Sequence, residues 1–130
     1  MSRLLAQITQ IENIDNLNLV SFDFCGTNLT MMSLELEKNI MVGVKVVLNI
    51  KSSSITIGKD ISGILSISNK LSAIVEEIEV GQLLCNVKLK IANTIFETIV
   101  TFDSLKKLDI KTGQSVSVFI KASELSIGEV

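Results

Sequence analysis

Two short stretches, Lys51-Ser52-Ser53 and Lys121-Ala122-Ser123, each set an ammonium two residues before a hydroxyl. Ser66-Ile67-Ser68-Asn69-Lys70-Leu71 adds two hydroxyls and an amide, and Thr101 and Ser104 add two hydroxyls three residues apart. Hydroxyls, an ammonium and backbone N–H groups at a turn or helix start are the donors that can replace the water around a small oxyanion. An isolated Ser or Lys at a strand end is otherwise ordinary surface. By themselves these residues leave the ligand open.

Other chemistries are poorly supplied. The chain has no His and no Tyr, and no Ser or Cys has an evident base beside it in sequence, so nucleophilic catalysis lacks its parts and no enzyme activity is expected. The carboxylates sit mostly in charge-alternating positions such as Glu76-Glu77 and Glu35/Glu37, the pattern of solvated strand faces. With only Cys25 and Cys85 and no His, a zinc site of the usual ligand types cannot be assembled. The seven glycines are scattered and form no phosphate loop. Single-stranded nucleic acid needs aromatic platforms and a basic groove. Here the aromatics are five Phe, of which Phe22, Phe24 and Phe119 fall in alternating runs that read as core, and the net charge is −2. Nucleic acid is therefore not an expected partner.

The elements that must position the donors are written twice. Leu4, Ala6, Ile8, Ile11 and Glu12 return as Leu71, Ala73, Val75, Ile78 and Glu79, a shift of 67 (Leu4 to Leu71). Ile40, Gly43, Val46, Lys51, Ser53, Ile55, Ile57 and Gly58 return as Ile110, Gly113, Val116, Lys121, Ser123, Leu125, Ile127 and Gly128, a shift of 70 (Ile40 to Ile110). Such a repeat predicts two tandem units, residues 1–60 and 61–130, joined at Gly58-Lys59-Asp60-Ile61-Ser62-Gly63, with the three-residue difference absorbed in loops.

Each unit reads as β. Cys85, Val87, Leu89 and Ile91 alternate with polar residues, as do Val116, Val118 and Ile120 with Ser117, Phe119 and Lys121. Asn93-Thr94 and Gly26-Thr27-Asn28 read as hairpin turns between runs, the first unit running from Leu17 to Phe24 and from Leu29 to Leu36. Asp103 to Leu108 reads as one helical turn capped by Asp103. The expectation is an all-β chain of two OB-like five-stranded barrels, each with a short helix.

The mean hydropathy of +0.49 is high for so short a chain, yet charged or amide residues break every apolar run, and no membrane insertion is expected. No apolar stretch of signal-peptide type precedes Gln7, so a cytoplasmic location is expected. Units this small are marginal alone. The apolar surplus predicts cover by a subunit interface.

At the same donor residues the chain resembles the molybdate-binding TOBE family, specifically its tandem di-Mop molbindins. That family opens a unit with a pattern like Ser-Ala-Arg-Asn-Gln-Leu, here Ser66-Ile67-Ser68-Asn69-Lys70-Leu71, and closes it near Lys-Ala-Ser-x-Val-x-x-Gly, here Lys121 to Gly128. The resemblance implies a homotrimer holding molybdate or tungstate between subunits, with no organic cofactor. Ser66, Lys121 and the N–H of Ala122 would come from one chain, and Thr101 and Ser104 from a neighbour. Asn69 would shape the opening turn, and Ser123 completes the closing motif. Ser68 stands at the family's Arg position, which removes a bidentate charge. In the first unit the opening motif is reduced to Ser2-Arg3, Thr101 maps to Met31, Lys51-Ser52-Ser53 is the surviving motif, and a second type of site with Lys51 and Ser52 is implied. The implied role is passive: storage by exchange. Two rivals stand beside it, a TOBE pair keeping the fold without the ligand and a sensor docking on a transporter or regulator.

Overall fold

The structure is a computed structural model that describes residues 2–130; Met1, counted in the first unit above, lies outside the described residues. The first half forms β1 (Ser2–Ile14), β2 (Leu17–Phe24), β3 (Thr27–Ser33), β4 (Lys45–Ile50) and β5 (Thr56–Gly58). The second forms β6 (Asn69–Glu79), β7 (Leu84–Ile91), β8 (Thr94–Thr101), the helix α1 (Phe102–Leu108), β9 (Ser115–Ile120) and β10 (Ser126–Glu129). Short 3-10 turns at Ser52–Ser54 and Ala122–Glu124 precede β5 and β10. All pairings are antiparallel, in two five-stranded sheets. The fold is all-β and OB-like.

Alternation drives this arrangement. Along β1 the buried positions are Ser2, Leu4, Ala6 and Ile8, and along β6 they are Asn69, Leu71, Ala73 and Val75. A period of two sends these side chains to one face. The apolar ones among them join Val20, Phe22, Phe24, Val87, Leu89 and Phe96 in a single buried cluster that spans both sheets. Both long strands carry an irregularity at the same repeat position, between Ile8 and Gln10 and between Val75 and Glu77. There Gly43 and Gly113 donate to the carbonyls of Ile8 and Val75. Their φ values of 94° and 92° are left-handed, which is why Gly recurs at both places.

The sheets do not follow the repeat boundary. One sheet has the order β10-β4-β1-β2-β3 and the other β5-β9-β6-β7-β8. Each half thus gives its last strand to the other: Ile57 pairs with Val118, and Ile127 pairs with Leu48. The two Lys-x-Ser stretches are where the chain crosses from one sheet to the other. Side chains lock the exchange. Asn69, fully buried, donates from Nδ2 to the Thr30 carbonyl at 2.9 Å and accepts at Oδ1 from the Thr30 N–H at 2.6 Å. Ser2, its repeat counterpart, accepts from the Glu97 N–H at 2.9 Å and donates to the Glu97 carbonyl at 3.4 Å. Both locks tie the start of one half to the third strand of the other.

Several sequence expectations are refined. The helix cap is Thr101, not Asp103: Thr101 is extended (φ −70°, ψ 154°) and its Oγ1 accepts from the Ser104 N–H, while Asp103 lies in the first turn. Among the described residues an α-helix forms only in the second half. The counterpart stretch 34–44 in the first is shorter and makes turns, which absorbs the three-residue difference. The hairpin turns fall at Cys25-Gly26 and Ala92-Asn93, one position earlier than the turn residues suggested, and Cys25 and Ala92 adopt positive φ. The strand expected from Leu29 to Leu36 runs instead from Thr27 to Ser33.

Candidate functional site

Lys121 leaves β9 in an extended conformation (φ −69°, ψ 147°) and starts the second 3-10 turn; Lys51 leaves β4 in nearly the same one (φ −69°, ψ 139°). Both lysines are exposed. Among the described residues neither takes part in an ion pair, so both ammonium groups are open to an anion.

The pairing of Asn69 with Ile120 brings the opening and closing motifs side by side. Ile67 shares with Lys121 a pocket of about 230 Å³, which the exchanged segment completes with Ser53, Ser54 and Thr56. Ser66 and Ser68 flank Ile67 on an exposed bend. Ala122 is buried, which fixes the turn, and Ser123 is exposed. Asn69 stands apart from the other donors: both polar atoms of its amide are already used by Thr30.

Lys51 has a matching pocket of about 200 Å³ with Asn49, Ser123 and Ser126. The two pockets are related by the repeat: Ser53, Thr56, Phe119 and Lys121 of the first correspond to Ser123, Ser126, Asn49 and Lys51 of the second. At about 30 Å³ per water, each has room for a small hydrated oxyanion. Ser52 is half-buried, and its carbonyl accepts from Thr98 Oγ1 at 3.2 Å.

Thr101 and Ser104 lie elsewhere. Leu84 pairs with Thr101, at the far end of β7 from the Lys121 pocket. The 11 residues of β6 separate the two ends by roughly 35 Å at about 3.3 Å per residue. Within one chain these hydroxyls and Lys121 cannot hold the same ion. Thr101 Oγ1 also hydrogen-bonds Ser104 Oγ at 2.9 Å, so the pair is pre-arranged at the helix start. Replacing Thr101 by Ala is expected to cost about 1 kcal/mol of stability through the lost cap. Chemical denaturation checks it, since fraying of α1 uncovers Leu105 and Leu108, which pack on the core.

Ser54, Thr56 and Ser126 were not singled out by sequence reasoning, and Ser53 entered only as part of the Lys51-Ser52-Ser53 stretch. Only the strand exchange brings them to the lysines, and no local motif announces it. A groove of about 880 Å³ between the 31–40 segment and β10 is lined by none of the donors expected from the sequence, although Ser126 borders it as well as the Lys51 pocket. Glu35, Glu37 and Glu129 line it, which suits no anion.

The overall fold is similar to one already known. Residues 65–127 match the TOBE domain. The TOBE match begins just before the opening motif and ends within β10, so it contains the Lys121 crossing. Over 98% of this chain and 95% of the other, the structure is similar to that of the cytoplasmic molybdate-binding protein ModG in a crystal form with molybdate bound, at a TM-score of 0.91 and 26% sequence identity. No curated protein matches the chain in sequence. The TOBE match and this likeness point to a binding protein. Among the described residues no helix is long and apolar enough to cross a membrane.

Proposed function

We propose that this chain binds molybdate, or the similarly shaped tungstate, and stores it in the cytoplasm without transforming it. The observation that carries this reading is the near end-to-end likeness to molybdate-bound ModG. The free ammonium of Lys121 beside the opening turn supports it chemically. Each five-stranded unit acts as an OB-type barrel of a tandem pair, and three chains assemble so that ions lie between them. Ser66, Ser68, Lys121, Ser123 and the N–H of Ala122 serve from one chain. Thr101 and Ser104 serve from the next, because they are too far from Lys121 to serve in their own. Asn69 holds the opening turn in place. Lys51 and Ser52 serve a second type of site at the other crossing.

A tetrahedral dianion suits such a donor set, since hydroxyls and N–H groups give directed bonds and the ammonium supplies charge. Titration calorimetry with sodium molybdate, together with native mass spectrometry, tests the reading. Saturable binding by a trimer is expected. A monomer that takes up no molybdate would refute it. The second reading, an interaction module for a transporter or regulator, is favoured by Ser68, which leaves the site one guanidinium short; it predicts a stable assembly that ignores molybdate.

A further inference from the structure

We propose that Glu124 is a negative wall shared by the two lysine pockets and that it limits the oxyanion affinity of both. This inference rests on the anion-binding reading of those pockets. Glu124 lines the Lys121 pocket with Ser53 and Ser54, and it also lines the Lys51 pocket with Ser123 and Ser126. Among the described residues no other lines both.

The repeat shows what the carboxylate replaces. Position 124 corresponds, at the shift of 70, to Ser54 in the first half, a neutral donor. Ser54 Oγ donates to Glu124 Oε2 at 2.9 Å, so this hydroxyl is turned toward the carboxylate and away from an incoming anion. Glu124 also forms no ion pair with Lys51 or Lys121 within 4.0 Å among the described residues. It therefore leaves each ammonium free while presenting a like charge to any dianion that approaches. Both effects oppose binding, one by repulsion and one by occupying a donor.

Gln is the informative replacement. It keeps an oxygen to accept from Ser54, removes the charge, and offers an amide N–H to the pocket. Because Glu124 is exposed, solvent screens the charge and the gain is moderate. Titration calorimetry with sodium molybdate at fixed ionic strength, on the unmodified protein, Glu124→Gln and Glu124→Ser, decides it. Molybdate affinity about three- to tenfold higher in both variants is expected. Binding by the variants alone would also support the proposal, with the carboxylate then closing the pockets to dianions. Unchanged or weaker affinity in both variants, beside measurable binding by the unmodified protein, overturns the role of Glu124 and leaves the molybdate reading standing. No binding by any of the three removes that reading and this proposal with it.

Discussion

Lys121→Ala is expected to weaken molybdate binding by roughly 10- to 150-fold, the equivalent of about 1.5–3 kcal/mol for a hydrogen bond to a charged group. Lys121 is exposed and makes no ion pair among the described residues, so its loss leaves the fold intact and the effect falls on the ligand. Lys51→Ala provides the comparison. If the two crossings form separate sites, it lowers the number of ions bound while the remaining sites keep their affinity. Calorimetry reads both quantities in one experiment. An unchanged affinity and an unchanged number of ions in Lys121→Ala would remove this residue from the site.

The second large effect concerns stability. Asn69→Leu keeps the branched shape of a fully buried side chain, with two methyl groups in place of the amide atoms, but orphans the N–H and the carbonyl of Thr30. Each orphaned group costs about 1–3 kcal/mol, so a loss of roughly 2–6 kcal/mol is expected. Small domains are held by about 5–15 kcal/mol in all, which makes this substitution severe. Ser2→Ala should cost less, because its single hydroxyl makes one short and one long contact with Glu97. The midpoint of chemical denaturation measures both. A loss below about 1 kcal/mol for Asn69→Leu would show that the lock between halves carries little energy.

Asn69 also shows how far sequence reasoning reaches. Its place in a Ser-x-Ser-Asn motif marks it as a donor near the ligand, yet its amide is spent on the backbone of a strand 39 residues away. Nothing local reveals such a partner. The strands themselves were legible, because Leu4-Ala6-Ile8 and Leu71-Ala73-Val75 alternate cleanly and repeat. The meeting of the opening and closing motifs was also within reach, since they stand at the ends of adjacent strands. The exchange of last strands was not. Thr56-Ile57-Gly58 and Ser126-Ile127-Gly128 are nearly the same sequence, so alternation alone cannot say which sheet receives which. The path through the 3-10 turns decides it. The helix cap failed for a related reason: Thr101 and Asp103 are both good capping residues, and only the end of β8 selects between them.

The reciprocal loan of β5 and β10 has a genealogical implication. A chain with one copy of the repeat would send its last strand out through the lysine turn, away from the sheet it had just built. Such a chain closes its exposed edge by trading that strand with a twin, as swapped dimers do. In the present chain the two halves that make this trade are joined covalently through residues 59–68. Fusion replaces a concentration-dependent encounter with an intramolecular one. It also leaves the two halves free to differ, and one carries α1 and Glu124 where the other has a plain turn and Ser54.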